Sequence, residues 1–161
     1  MRSRWPLLAC VPLALAATVT GCSGADDGSS TATSVPNGVA VSRLEPGTCF
    51  QRPESADVRT VEQRDCDEPH DAEAYAVFEV DAAADEAYPS GTVLASFAQQ
   101  GCQDRFADYV GMPYEDSPYY FAVIVPSRAS WGNRDDRRVV CSVIAADRAP
   151  LEASVTAPTE G

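Results

Sequence analysis

The sequence predicts an α+β fold: a single small domain in which one main helix packs on an antiparallel sheet and two disulfides crosslink the body. Three observations predict it. Thr92–Val110 repeats apolar residues at helical spacing, short β-rich segments flank it, and four cysteines are dispersed through the same region. About 115 residues, from Val39 to Ser154, are available for this domain, which is enough for one hydrophobic core.

The N-terminus has the organisation of an export signal. Arg2 and Arg4 supply positive charge, and Trp5–Val19 is almost wholly apolar, but it is too short and wrongly flanked for a membrane-spanning helix. We therefore predict that residues 1–21 form a signal peptide, whose removal takes Cys10 with it.

The end of this leader, Val19-Thr20-Gly21-Cys22, resembles a bacterial lipobox. The resemblance implies cleavage after Gly21 and a diacylglyceryl thioether on Cys22. Two acyl chains hold a protein stably on a membrane, whereas one chain does not. The expectation is a lipoprotein anchored to the outer face of the cell membrane. The alternative is an ordinary signal peptide with an incidental cysteine.

The two ends of the mature chain are predicted to be unstructured. Residues 22–38 form a disordered tether, because they consist mainly of Ser, Thr, Gly, Ala and Asp without apolar periodicity. A flexible chain of this length has an average reach of roughly 20 Å, which keeps the domain close to the membrane. Residues 39–154 form the folded domain, and residues 155–161 form a flexible tail.

Three strands are predicted before the helix. Val39–Leu44 is the first, and a turn with adjacent Pro and Gly at Glu45–Thr48 follows it. Val58–Glu62 is the second strand and Glu73–Val80 is the third. Alternation in the third strand places Ala74, Ala76, Phe78 and Val80 on one face, and Glu73, Tyr75, Val77 and Glu79 on the other.

Thr92–Val110 is the predicted helix, and Gly111 and Pro113 end it. Gly101 lowers the helix propensity by about 1 kcal/mol relative to Ala, and it allows close packing on a sheet. One apolar stripe comprises Leu94, Phe97, Ala98, Cys102, Phe106 and Tyr109.

Two further strands and a loop are predicted after the helix. Tyr119–Val125 is an aromatic and β-branched strand that ends at Pro126. Ser127–Asp136 is a loop that contains Trp131. Arg138–Ile144 is the last strand.

The domain contains Cys49, Cys66, Cys102 and Cys141. An even number in an exported chain favours disulfides, for which three pairings exist. The cysteines form no Cys-x-x-Cys pair, and their dispersed positions do not suit a zinc site. We predict Cys49–Cys66, which would close the N-terminal strands, and Cys102–Cys141, which would join the helix stripe to the last strand.

The stretch from Cys66 to Asp71 contains the only histidine of the chain. His70 with Asp71 has the residue types of a general base and its orienting carboxylate, with a nucleophile taken from Ser127 or Ser130. No Gly-x-Ser-x-Gly elbow is present. In the alternative, which we prefer, Asp71 accepts hydrogen bonds from nearby backbone N–H groups beside the disulfide. We therefore predict no catalytic residue.

Two stretches resemble the septum-formation domain family. Leu44–Phe50 is similar to its opening Gly-Asp-Cys-Phe motif, and Cys66–Glu73 is similar to its Cys-x-x-Pro-His-Asp signature. Cys102, Trp131 and Arg137–Cys141 resemble later elements. The sequence departs from the family at Thr48, where Asp is usual, and at Arg134–Asp136, where a Gly-Asp-Arg run is more familiar. Neither departure changes a cysteine.

The resemblance covers about Val39–Ser154. It implies an envelope protein, often a lipoprotein, with a link to septum formation and no established catalytic role. On these grounds the expected partners are the membrane, through the lipid anchor, and an envelope or division protein.

The candidate binding residues are His70, Asp71, Trp131, Arg137 and Arg138. An aromatic side chain in a loop, as predicted for Trp131, suits a sugar-stacking or protein-docking surface. Arg137 and Arg138 belong to the densest charge cluster of the domain and would meet an anionic polymer or a carboxylate. The alternative for the arginines is ion pairing with the adjacent aspartates at the surface.

The net charge narrows the function classes. The chain carries −12, and loss of the leader makes it more negative, because Arg2 and Arg4 leave and no acid does. Such a surface repels phosphate backbones, so no nucleic acid partner is expected. One histidine and scattered acids predict no metal site and no other cofactor.

We therefore expect a non-enzymatic, lipid-anchored binding or scaffolding domain of the cell envelope. The alternatives are a solute- or signal-sensing domain and an envelope hydrolase that uses His70.

Overall fold

One antiparallel sheet organises the described part of the chain. The computed structural model describes residues 37–53 and 58–157, which belong to one compact unit, Thr33–Gly161. The strands are β1 (Gly38–Ala40), β2 (Cys49–Gln51), β3 (Thr60–Arg64), β4 (Ala72–Glu79), β5 (Tyr119–Ile124) and β6 (Arg138–Ala145). The helices are α1 (Gly91–Val110) and α2 (Arg128–Arg134), with 3-10 turns at Val41–Arg43 and Tyr114–Asp116.

The strand order across the sheet is β1-β3-β2-β4-β6-β5, and all neighbours are antiparallel. The main helix, α1, packs against β4 and β5. The predicted α+β fold, with its antiparallel sheet and one main helix, is therefore confirmed. The predicted signal peptide, Cys22 and residues 22–36 of the predicted tether lie outside the described residues.

Both predicted disulfides are present. Cys49–Cys66 joins β2 to the segment after β3, with a Cα–Cα distance of 5.3 Å. Cys102–Cys141 joins α1 to β6, with a Cα–Cα distance of 5.5 Å. Each closes a loop in the unfolded chain, which stabilises a domain of this size by roughly 3–4 kcal/mol per bridge.

The centre of the sheet contains a register shift that changes which side chains share a face. β4 pairs with β6, and the register shifts between Ala74 and Ala76. A bulge of this kind inserts one residue and reverses the alternation beyond it. Tyr75 and Ala76 therefore both pack on the helix side, and Ala74 packs on the opposite side. The predicted grouping of Ala74 with Ala76, and of Tyr75 with Val77, is wrong for this reason.

The helix α1 begins and ends with capping interactions. The Ser90 hydroxyl accepts a hydrogen bond from the Val93 amide at 3.3 Å, and Gly111 ends the helix in the left-handed conformation. The buried stripe comprises Leu94, Ala98, Cys102, Phe106 and Val110. Phe97, predicted to lie in this stripe, is 43% exposed. The buried positions recur every four residues, so the face against the sheet is too narrow to include it.

Gly101 permits the close approach of α1 to the sheet, as predicted. A Cβ atom at this position would overlap the ring of Phe78. That ring also packs against Phe97 and lies 4.4 Å from the guanidinium carbon of Arg105.

Two hydrophobic clusters lie on opposite faces of the curled sheet. The helix-side cluster is centred on Tyr75, Phe106 and Cys141. The second cluster contains Leu44, Phe50, Val61, Ala72, Ala74 and Val140. Leu44 reaches the second cluster from the loop before β2.

The N-terminal strands differ from the prediction in their bounds. β1 ends at Ala40, and the predicted strand residues Val41–Arg43 form a 3-10 turn. This turn bends the chain so that Leu44 becomes fully buried. β3 lies two residues later than predicted, and Cys49–Gln51 pairs with both β3 and β4 as a strand that the pattern did not predict.

The segment Ser127–Asp136 is a helix rather than the predicted loop. Ser127 and Ser130 form a capping box at the start of α2, in which each hydroxyl accepts from the other residue's backbone N–H. Gly132 and the flanking charges suggested a loop, but the capping serines and the burial of Trp131 favour a short helix.

The packed part of the chain extends beyond the predicted boundary at residue 154. Leu151 pairs with His70 as an isolated β-bridge, and Val155 is buried against the helix-side cluster. The Ala157 amide donates to the Tyr109 carbonyl oxygen at 2.8 Å. Residues 155–157 therefore do not belong to a flexible tail. Residues 158–161 lie outside the described part.

Candidate functional site

His70 lies inside the protein, where no substrate reaches it. Its side chain is fully buried, and Nδ1 is 2.8 Å from the Glu68 carbonyl oxygen. Because a carbonyl only accepts, Nδ1 carries a proton. Nε2 is buried and has no hydrogen-bond partner among the described residues. The ring is thus held by the backbone of its own loop.

Asp71 does not orient His70. Its carboxylate accepts a hydrogen bond from the Arg52 backbone N–H at 3.0 Å, as the alternative interpretation expected. It also lines a shallow depression of about 580 Å³ together with Arg52, Ile144 and Arg148. The arrangement that the hydrolase alternative needs, with Asp71 hydrogen-bonded to His70, is therefore not found among the described residues.

Glu73 is a buried acid that the sequence pattern placed on the same face of β4 as Val77 and Glu79. It has no exposed surface. One carboxylate oxygen accepts from the hydroxyls of Tyr109 and Ser154, and the other accepts from the Val155 amide at 2.8 Å. The acid thereby joins β4, α1 and the C-terminal segment.

The environment of Tyr109 keeps it a hydrogen-bond donor. Burial of the phenol raises the pKa of Tyr109 above its ordinary value, and the hydrogen bond to the negatively charged Glu73 raises the pKa further. The hydroxyl is therefore protonated throughout the physiological range and donates to the Glu73 carboxylate.

Cys49, His70 and Glu73 form a mixed cluster beside the first disulfide. The Cys49 sulfur, a ring nitrogen of His70 and a Glu73 carboxylate oxygen lie within 4.8 Å of one another. These residue types ligate zinc, but Cys49 offers no thiolate while it is disulfide-bonded. Two remaining ligands are too few for a structural zinc site.

Trp131 and Arg137 form a buried pair that stabilises the connection between β4 and α1. Trp131 is 2% exposed, so the predicted exposed loop tryptophan is wrong. Its indole N–H donates to the Glu86 carbonyl at 2.8 Å, and the Arg137 guanidinium lies 3.7 Å from the ring centroid.

Arg137 also donates to the carbonyls of Ala83, Ala84 and Trp131, and it forms an ion pair with Asp135 at 3.0 Å. The guanidinium of Arg137, which was expected to bind an anion, is therefore already bonded to groups within the protein.

Arg138 is also used within the fold, although it is less buried. Its guanidinium donates to the Leu44 carbonyl at 2.7 Å and forms an ion pair with Glu45 at 3.1 Å. It thus joins the start of β6 to the turn before β2. Arg134 projects from the end of α2 and is exposed.

A groove of about 760 Å³ forms a second concave site on the described surface. One wall is formed by residues 40–42 and 58–60, and the other by the end of β5 with α2 and the start of β6. Its apolar lining comprises Ala40, Val41, Val58, Val123, Ile124, Val125, Pro126 and Val140. Its charged lining comprises Arg59, Arg134, Arg137, Arg138, Glu79, Asp135 and Asp136.

The groove combines two features that suit an extended ligand. β1 and β5 are the two edges of the sheet, and residues of both strands line it. An edge strand presents unpaired backbone N–H and C=O groups to a partner. Apolar and charged side chains then select the ligand through its own side chains.

A family model described as septum formation matches residues 46–160, which is most of the chain. The chain belongs to the septum formation family. Membership relates the protein to septum formation and to the cell envelope, and this family is not known as an enzyme family. No curated protein and no solved structure shows significant similarity to the chain.

The family match contains both disulfides, the Cys49–His70–Glu73 cluster and most of the groove. None of the helices in residues 37–53 and 58–157 is long and apolar enough to cross a membrane.

Proposed function

We propose that this septum formation protein is a lipid-anchored, extracytoplasmic domain that binds an extended segment of an envelope protein at the division site. The observation that carries the proposal is the groove between β1 and β5, which offers two strand edges and an apolar lining. The leader and Cys22 support placement on the outer face of the membrane. The two disulfides support an oxidising compartment.

The charge of the groove supports a neutral or acidic partner segment. The chain as a whole carries −12, which repels acidic partners at long range. The groove lining instead contains four arginines and three acids. An acidic segment is therefore repelled less at this groove than elsewhere on the surface.

The two alternative functions have less support. A solute-binding role calls for an enclosed pocket with aromatic lining, but neither concave site is lined by an aromatic residue. A hydrolase role calls for an accessible base, but His70 is fully buried. Ser127 and Ser130 line the groove without His70, and both hydroxyls are used in the capping box.

Site-directed photocrosslinking in intact cells tests the binding function. A photoreactive amino acid replaces Ser42, which is exposed and lines the groove. We expect one discrete adduct with a division or envelope protein, identified by mass spectrometry. A second variant adds Ile124→Glu, which places a charge in the apolar lining, and should reduce the adduct by about tenfold or more.

The matched control places the same amino acid at Gln103, an exposed position of α1 outside the groove. It should yield no such adduct. Equal labelling from positions 42 and 103, or labelling unaffected by Ile124→Glu, would contradict binding at the groove.

A further inference from the structure

The two disulfides differ in how much of each is accessible from outside. Cys102 and Cys141 are both fully buried between α1 and β6. Cys49 is 1% exposed, but its partner Cys66 is half-buried in a stretch whose neighbours Asp65 and Asp67 are exposed. Thiol–disulfide exchange needs a thiolate to reach one sulfur of the bond. Among these four cysteines, Cys66 therefore carries the sulfur that a thiolate can reach.

The buried sulfur of the same bond has a proton-carrying group beside it. Cys49 Sγ, a His70 ring nitrogen and a Glu73 carboxylate oxygen lie within 4.8 Å of one another. His70 Nδ1 is committed to the Glu68 carbonyl, and the enclosed Nε2 has no partner among the described residues. A buried polar atom without a hydrogen bond costs roughly 1–3 kcal/mol. A thiol or thiolate at Cys49 would supply the missing partner.

We propose that Cys49–Cys66 is a thiol–disulfide exchange site that accepts electrons from a dithiol, with His70 as proton donor to Cys49. The thiolate of the dithiol attacks Cys66 Sγ, a mixed disulfide forms there, and Cys49 leaves with the electron pair of the broken bond. Protonated His70 donates its Nε2 proton to Cys49, and a proton from solvent replaces it once opening of the bridge loosens the loop around the buried ring.

In the second half of the reaction, Cys66 is released and the dithiol is oxidised. The remaining thiol of the reductant loses its proton and attacks its own sulfur in the mixed disulfide. Cys66 leaves as a thiolate and takes a proton from water. The dithiol is thus oxidised to a disulfide, and Cys49 and Cys66 are reduced to two thiols. In this disulfide-bonded structure, the Cys66 sulfur lies 3.4 Å from the Gly47 carbonyl oxygen, which is therefore placed to accept the proton of a Cys66 thiol.

The surroundings of Cys66 select among reductants. Asp65, Asp67 and Glu68 are exposed around it, so anionic small thiols are repelled. A neutral small dithiol, or a Cys-x-x-Cys protein with a cationic surface, fits this site. Reduction removes the covalent link between β2 and the loop after β3, so it loosens the segment that carries His70.

Differential alkylation tests the selectivity on the intact, oxidised full-length chain in detergent. The protein is incubated with dithiothreitol at graded times, alkylated and mapped by mass spectrometry, with EDTA present to exclude metal ligation. We expect Cys49 and Cys66 to be reduced about a hundredfold or more faster than Cys102 and Cys141. The second disulfide is the internal control. Reduction of all four cysteines together, at the rate of global unfolding, would overturn the proposal.

His70→Asn tests the proton donor separately, because the Asn amide retains a donor in the place of Nδ1 and lacks Nε2. We expect reduction of Cys49–Cys66 by dithiothreitol thiolate to slow by about a hundredfold, with unchanged reduction of Cys102–Cys141. In the unaltered protein this rate, corrected for thiolate concentration, should fall as the pH rises, because the proposed step consumes a proton that His70 supplies.

The titratable groups of the described residues near this cluster come from β4, α1 and the C-terminal segment. Glu73 contributes from β4, and Tyr109 from α1 stays protonated because its pKa is raised. Glu152, in the C-terminal segment that pairs with His70, is exposed. A rate in His70→Asn equal to that of the unaltered protein would overturn the role of His70. If this variant does not fold, the unaltered protein provides the test. A reduction rate that does not change with pH, after correction for thiolate concentration, would likewise overturn the role of His70.

Discussion

At the scale of single residues, Glu73 is the one acid that is fully buried among the described residues. A fully buried carboxylate is costly unless its oxygens are hydrogen-bonded. Here three donors, from Tyr109, Ser154 and Val155, satisfy it. The bonds from Ser154 and Val155 fasten the C-terminal segment over the helix-side cluster, and the bond from Tyr109 joins Glu73 to α1. The position of one acid therefore decides where the packed part of the chain ends.

Glu73→Ala should destabilise the protein by about 3 kcal/mol, because it leaves buried donors without an acceptor. Glu73→Gln should cost less, since the amide oxygen still accepts. The free energy of unfolding from denaturant titration measures both. Glu152→Ala is the matched control, an exposed acid in the same C-terminal segment, and should change stability by no more than about 0.5 kcal/mol. Equal effects of Glu73→Ala and Glu152→Ala would refute the fastening role.

At the scale of elements, the contact between α1 and β4 depends on glycine at position 101, which has no side chain. Gly101 faces the ring of Phe78, and a methyl group at position 101 would overlap it. Glycine costs helix propensity, but it allows the Phe78 ring to lie between Phe97 and Arg105. The packing of these rings outweighs the loss of local helix preference.

Gly101→Ala should therefore destabilise the protein by about 1–2 kcal/mol, because Phe78 must move from its packed position. In a Phe78→Ala background the same substitution should become stabilising by up to about 1 kcal/mol, since only the helix propensity remains. A double-mutant cycle of unfolding free energies measures the change of sign. Gly91→Ala, at a helix position with open space around it, is the control and should not depend on Phe78. An effect of Gly101→Ala that is the same in both backgrounds would contradict this account.

At the scale of the whole molecule, the sheet is curled and open. One side is closed by α1 and the C-terminal segment, and the other leaves the groove between the first and last strands. The arginines expected to bind a ligand instead join segments of the fold: Arg137 holds the connection before α1, and Arg138 holds the turn before β2. The binding surface is therefore the groove rather than the arginine cluster itself.

The proposed anchor makes a prediction for the whole protein in cells. Cys22→Ala should move the protein from the membrane fraction to the soluble fraction, because the lipid is lost. Immunoblotting of fractionated cells and the mass of the N-terminal peptide measure this. Cys10→Ala, in the predicted leader, is the control and should leave the mature mass and location unchanged. Retention of Cys22→Ala on the membrane, with an unmodified N-terminal peptide in the native protein, would contradict lipid anchoring.

Local patterns predicted the elements whose residues follow one period without interruption. The α1 stripe, β5, β6 and both disulfides are examples, because apolar spacing and cysteine number are properties of the chain itself. The pattern failed at the β4 bulge, where tertiary pairing with β6 inserts a residue and reverses the faces. It also failed at α2, where the burial of Trp131 outweighs the loop signals of Gly132 and Asn133.

Some parts of the candidate site were predictable from the sequence and others were not. The histidine, the acids and the cysteine of the cluster were visible as residue types, and Cys49, His70 and Asp71 drew attention. Glu73 was not predicted as a site residue, because the alternation grouped it with Glu79 on one face of the strand and gave no sign of its burial. The groove was not predictable, since its walls come from segments far apart in the chain that meet only when the sheet curls.

The sequence by itself determined the α+β class, the main helix, the expectation of two disulfides and the family, whereas the structure decided which cysteines pair. These depend on composition, periodicity and motifs that neighbouring residues carry. Only the tertiary structure decided that Glu73 and His70 are buried beside Cys49, that Trp131 and Arg137 stabilise the fold, and that a groove lies between β1 and β5. The physical reason is that burial and long-range pairing depend on which distant segments pack together, and no local pattern contains that information.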